Sequence, residues 1–323
     1  MAKQPEREPP GLKSIRDARE NRGRTQSRVT PQHLLFVLLS AVTVTVIYYF
    51  VSSHNLDVNK DKLLQKQRAV QATVGAEWGP LRDRIEKATL DAAAVFKGDF
   101  VDSDAGRFEF RSAPGIYLRL RVSEAKDTAS LRKAAQASLR DSFVGCLLRE
   151  PMKAKGPDGD AGLFPDQPWN MRQAYQSTRI LTDDWVNEVK ASDDDLRLRV
   201  FLQQYDKAVR EEIPLAVEML KKAQFFLLVL DEDADAAREA ADGGPITEEA
   251  LQLVPHEARV HLVNLKTGNE TFRLKRAGQA TFYMAGDRAN VDPETRAAMQ
   301  RNVNNCDLAT QVQAAIGEKN EKK

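Results

Sequence analysis

The residues of this 323-residue chain with the most restrictive chemistry are few: two cysteines, four histidines and a short aspartate cluster. Cys146 and Cys306 are too far apart in sequence for a CxxC redox pair, and two thiolates alone do not close a four-ligand zinc site. Each sits on an apolar helical stripe, Cys146 with Leu131, Ala135 and Leu139, Cys306 with Met299, Val303 and Ile316. Both therefore point inward. A Cys146–Cys306 disulfide is expected if the chain folds in an oxidising compartment, with two buried free thiols as the alternative.

His33 and His54 flank an apolar run, so only His256 and His261 remain for histidine chemistry in the rest of the chain. His256-Glu257 opens like a zinc protease helix, but the second histidine comes five residues on, inside a predicted strand, without the required i, i+4 spacing. Asp231, Asp233 and Asp235 match the first ligand positions of a calcium loop, yet Ala236 replaces its turn glycine and a strand precedes it. The expected arrangement is an acidic strand-to-helix turn, and no metal is assigned. There is no G-x-S-x-G, P-loop or G-x-G-x-x-G sequence, hence no cofactor. Glu211-Glu212 and Asp193-Asp194-Asp195 fall on predicted helix surfaces and caps.

One set of charges suggests binding. Arg107, Arg111, Arg119 and Arg121 lie on the polar side of one predicted hairpin, and Arg259, His261, Arg273 and Lys275 on that of another. If both hairpins share a sheet, these residues form a basic face for anionic headgroups or glycans. Neutralisation by helices or by acids such as Glu109 is the alternative. The formal net charge of +1 gives no global case for nucleic acid.

The elements that must position these residues begin with the uncharged run Leu34 to Val51. A hydrocarbon core is about 30 Å thick, and the run meets the lower end of the length needed to cross it as a helix. Ser40, Thr43 and Thr45 can bond back to their own helix, and Tyr48, Tyr49 and Phe50 suit a headgroup layer. A transmembrane helix in the bilayer is expected. Arg16, Arg19, Arg22, Arg24 and Arg28 before it favour a cytoplasmic N-terminus and an extracytoplasmic C-terminal domain, a single-pass protein of a bacterial inner membrane. The chain then divides into a disordered basic tail (1–33), the span (34–51), juxtamembrane helices (52–98), an α+β domain (99–317) and a charged tail (318–323).

Leu56, Leu63 and Val70 recur every seventh residue, a weak seam for self-association, and Trp78-Gly79-Pro80 should break the helix that carries them. Strands are expected at Arg107–Arg111 and Ile116–Val122, turned by Pro114-Gly115, and at Arg259–Leu265 and Glu270–Arg276, turned around Gly268. Phe225–Leu230 is apolar on both alternating faces and reads as a central strand. Asp127 should cap a helix reaching Leu148, and Asp292-Pro293 should start a last helix ending at Gly317. Pro214 should break or kink the helix before it. The expected fold is α+β, a single transmembrane helix followed by a helix-rich domain with a mainly antiparallel five-stranded sheet.

The functional expectation is a non-enzymatic interaction or structural module of the cell envelope, with an envelope protein as a candidate partner. A tethered hydrolase with a site assembled from distant residues is the alternative. A deep pocket holding a carboxylate pair, or either histidine beside serine or aspartate, would favour the hydrolase.

Overall fold

The computed structural model describes residues 31–103, 105, 110, 113–138, 141–148, 168–240, 246–280 and 292–321. The chain divides into two units, Met1–Asp61 and Lys62–Lys323. Helix α1 (Pro31–Ala93) runs through the boundary between them.

In the first unit α1 carries the apolar run. Among the described residues, no helix is long and apolar enough to cross a membrane. This overturns the expected transmembrane helix and the single-pass inner-membrane localisation built on it. Ser40, Thr43 and Thr45 do donate to carbonyls of their own helix, at 2.8–2.9 Å.

In the second unit α1 continues unbroken through Trp78-Gly79-Pro80, contrary to expectation. Tertiary packing outweighs the one backbone bond that proline forgoes. Leu63, Trp78 and Ile85 are buried, and Trp78 meets the Tyr175 ring edge-on at 6.1 Å. Gln67 donates to the Ile180 carbonyl at 3.1 Å. Leu63, the middle residue of the heptad, is therefore used within the domain core. Arg259 closes the helix, its Nη1 donating to the carbonyl of Ala94 at 2.5 Å and more weakly to those of Ala93 and Ala92. A cation suits that end, where unpaired carbonyls gather.

The sheet contains β1 (Phe100–Val101), β2 (Gly115–Arg121), β3 (Trp169–Asn170), β4 (Phe225–Asp231), β5 (His256–Asn264) and β6 (Glu270–Gly278). Their order is β1-β6-β5-β4-β2-β3. β2 pairs in parallel with both β3 and β4, while the β4–β5, β5–β6 and β6–β1 pairs are antiparallel. The sheet is thus mixed and six-stranded rather than mainly antiparallel and five-stranded. β2 therefore has parallel partners on both sides, β3 meeting it at Ile116 and Tyr117. The residues around Arg107 and Arg111 lie outside the described set, as do those of the predicted loop Pro151–Pro165.

Gly115 does not serve as the positive-φ residue of a turn. It opens β2, where a Cβ would stand 2.0 Å from Cζ of the buried Phe225 ring. Gly268, at φ +78°, does supply positive φ in the β5–β6 turn. β4 is the central strand its composition predicts, with every residue buried.

Ten α-helices are present among the described residues. One sheet face packs on α10 (Pro293–Glu321) and α3 (Phe143–Leu147), through Val229, Val260, Leu262, Phe272, Leu308 and Val312 among others. β2 presents Ile116, Leu118 and Leu120 to the other face, against α2 (Thr128–Ala137), α4 (Met171–Ser177) and α7 (Ile213–Lys222). Between α4 and α7 lie α5 (Asp183–Lys190) and α6 (Asp195–Lys207). Beyond β4 come the short α8 (Asp235–Ala240) and α9 (Glu248–Leu251). Asp127 caps α2 by accepting from the Ser130 amide at 2.8 Å. The helix stops at Ala137 instead of reaching Leu148, because Ser138 turns to donate to the Arg119 carbonyl. Asp292 accepts from the Thr295 amide at the start of α10, which continues past Gly317 to Glu321.

Candidate functional site

A polar cluster is enclosed on the α10 side of the sheet, at the carboxyl ends of parallel strands β2 and β4. Such strand ends commonly hold ligands in open α/β sheets. Arg119 is its centre. Its Nε and Nη2 grip both oxygens of Asp231 at 2.6 and 2.8 Å. Its Nη1 donates to Asn305 at 2.7 Å and to Asp141 at 3.0 Å. Tyr117 donates to the same Asp141 oxygen at 2.6 Å, and the Phe143 amide donates to the other at 3.0 Å. The break between α2 and α3 is what brings Asp141 inward.

His256 completes the cluster. Its Nε2 lies 3.0 Å from Asp231 and its Nδ1 lies 2.9 Å from the Val254 carbonyl. Both neighbours are acceptors, so only a ring donating from both nitrogens satisfies both contacts. Asn305 donates onward to Gln252 at 3.2 Å, and Gln252 to Glu248 at 3.2 Å. The side chains of Arg119 and Asp231 are 0% exposed, and that of Asp141 is 1% exposed.

Burial disfavours the charged forms here, and partners decide the outcome. Burial alone would raise the Asp231 carboxyl, but the Arg119 charge and bonds from His256 and Arg119 hold it down at about 2. Arg119 is likewise opposed by burial, yet the charges of Asp231 and Asp141 keep it firmly protonated. Burial, then the Asp141 charge, push the Tyr117 hydroxyl well above its usual range. Glu248, beside the cluster, is raised to about 8 by burial and by the Asp231 charge.

These two carboxyls set opposite pH slopes. Asp231 is depressed from 3.8, so its contribution is present above about pH 4 and is lost as pH falls towards 2. Glu248 is raised from 4.5, so stability is greatest below about pH 4.5 and declines as pH rises towards 8. Glu248 is only partly buried, and solvent screening limits the decline to about 1–2 kcal/mol. Glu248→Gln should abolish most of the difference in urea midpoint between pH 5 and pH 8. An unchanged pH dependence in that variant would remove Glu248 as its source.

The remaining expected site residues are distributed differently from a single basic face. Arg107 and Arg111 lie outside the described residues. Strand alternation places Arg119 with Val229 and Val260 on the α10 side, whereas Arg259, Arg273 and Lys275 share the opposite side with Leu228 and Leu230. One sheet does hold both sets, but on opposite faces. Each described member also has a carboxylate partner: Arg121 with Glu124, Arg259 with Glu232, Arg273 with Glu270, and Lys275 with Glu232 and Glu257. His261 is buried against Glu270, 2.7 Å from its Nδ1.

The aspartate trio diverges. Asp231 enters the cluster, Asp233 meets Ser123 and Arg121, and Asp235 opens α8 and meets Arg238. Among the described residues, no group of three or more His, Cys, Asp or Glu is placed to hold a metal ion. Cys146 of α3 and Cys306 of α10 form a disulfide, with Cα atoms 5.1 Å apart across 160 residues.

The fold and the cluster define an α+β domain with an enclosed ionic centre. No family model, no curated protein and no solved structure matches the chain.

Proposed function

We propose that this protein is a non-catalytic interaction module that self-associates through the apolar segment of α1. A single observation carries the reading. Between Leu34 and Ile47, ten large apolar side chains are each 47–77% exposed. Exposed apolar surface of this extent marks a contact site. A helix that is apolar all round needs several neighbours, and copies of the same segment supply them. The hydroxyls within it are already bonded to their own backbone, so packing would strand none of its side-chain donors.

Burying the exposed half of ten such side chains is worth about 10 kcal/mol per copy. Summed over an assembly in which several copies surround each segment, this exceeds the roughly 4–15 kcal/mol that association costs. The heptad seam offers less, because its middle member, Leu63, is fully buried in the domain.

His256 does lie beside an aspartate, the contact expected of a hydrolase. Both of its nitrogens are engaged, however, and Asp231 is held by Arg119 without exposure. Neither is open to a nucleophile or substrate, which favours the interaction reading. Sedimentation of the full chain in detergent-free buffer tests it. Oligomers are expected, and Leu35→Glu with Leu39→Glu should yield monomers. A monomeric parent at about 50 μM would overturn the proposal.

A further inference from the structure

A second polar feature lies among α4, α5 and α6, away from the ionic cluster. A cavity of about 290 Å³ is lined there by Trp185, Arg179, Lys207 and the side chains of Gln136, Gln176 and Gln204. That is the lower limit of size for small-molecule pockets.

Trp185 is 0% exposed, and its ring packs against Phe201 and Tyr205 at 5.8 and 6.5 Å. Its indole Nε1 is buried and has no hydrogen-bond partner. A buried donor without an acceptor costs about 1–3 kcal/mol, and native structures hold few of them. Here the donor belongs to a residue that lines a cavity.

The wall beside it has a local cause. Pro214 has no amide proton to give the Arg210 carbonyl four residues earlier, and its ring crowds that carbonyl. The chain keeps its helical course from α6 to α7 by widening into a π turn over Ala208–Glu212. The first and last residues of that turn both line the cavity. Pro214 thus neither ends the helix nor leaves it regular. Such π turns are frequent at functional sites.

Donors outnumber acceptors in the lining: the indole, Arg179 and Lys207 only donate, Gln176 gives one amide hydrogen to the Gln136 carbonyl and keeps a second, and the one lining carboxylate, Glu212, is already paired with Lys207. The cations are paired with Glu188 and Glu212, and all four side chains are at least a third exposed. A ligand carboxylate can share such screened cations without displacing a buried ion pair.

We propose that this cavity binds a small organic carboxylate, with one carboxylate oxygen accepting from the Trp185 indole and Lys207 helping to neutralise its charge. The full chain carries three tryptophans, so ¹⁵N-indole labelling gives three Nε1–H signals. That of Trp185 is identified by its cross-relaxation with the Phe201 and Tyr205 rings, without any variant. Succinate and benzoate are titrated to about 10 mM, beside succinamide, benzamide and sodium chloride.

At least one of the two carboxylates should move the Trp185 proton downfield and saturate, leaving the Trp78 and Trp169 signals in place. Lys207 is exposed, so Lys207→Gln should fold, and it should weaken binding about tenfold, as expected for one charge-assisted contact. No saturable shift with either acid would mean that only water meets the indole, and would overturn the site. An equal response to the amides, or unchanged affinity in Lys207→Gln, would overturn the carboxylate assignment.

Discussion

Arg119→Met is expected to cost about 3–5 kcal/mol, enough to leave much of the chain unfolded at neutral pH. The substitution keeps volume but removes the arginine bonded to both Asp231 and Asp141, two essentially unexposed carboxylates. Asp231 would keep its contact with His256, and Asp141 those with Tyr117 and the Phe143 amide, but neither would keep its arginine. The effect should be read from urea midpoints at several pH values. The deficit should shrink as pH falls towards 4, because carboxyls freed from Arg119 take up protons more readily when buried. Adding Asp141→Asn and Asp231→Asn should recover part of the stability, since replacing a whole ionic cluster costs less than breaking it. A loss below about 1 kcal/mol for the single substitution would show that water reaches the carboxylates.

Cys146→Ser with Cys306→Ser should be the second most damaging change. The bond closes a sequence separation of 160 residues, which the chain-entropy model values at about 5 kcal/mol as an upper figure. Measured losses on removing native disulfides run from about 2 to 5 kcal/mol, and for a domain of this size each kcal/mol moves the melting temperature by roughly 2–4 °C. A drop of about 10 °C is expected. Reduced parent protein should melt with the double variant, and non-reducing mass spectrometry should find a peptide joining the two cysteines. Identical melting of oxidised parent and double variant would show that the bond adds nothing to stability.

Local signals were legible in the sequence where one stretch of chain decides the outcome. The doubly apolar run of β4, the Gly268 turn and the caps at Asp127 and Asp292 each depend on near neighbours. Features decided by distant neighbours were not. The turn predicted at Pro114-Gly115 had the right composition, but β2 lies between two parallel partners, and Gly115 is required instead by the Phe225 ring. Trp78-Gly79-Pro80 looks like a helix stop until the buried indole and its contact with Tyr175 are known. The apolar run near the N-terminus reads as a span by composition, yet among the described residues no helix is long and apolar enough to cross a membrane.

The ionic cluster was legible only in pieces. In the sequence Arg119 reads as a surface cation, Asp231 as part of a metal-like trio and His256 as part of an incomplete zinc motif. Nothing local pairs Arg119 with Asp231, which lies 112 residues away. The assignment of Arg119 and Arg259 to one face failed for a simpler reason. Alternation fixes sides within a strand, but the relative sides of two strands depend on their order and register.

The outermost members of the sheet, β1 and β3, are two residues each. A growing cross-β ladder needs a long run of unpaired amides and carbonyls, and neither two-residue border strand is long enough to offer one. Adding a further strand onto β1 or β3 is therefore disfavoured. Aggregates raised by heating should owe their order to unfolded chains rather than to stacked native sheets.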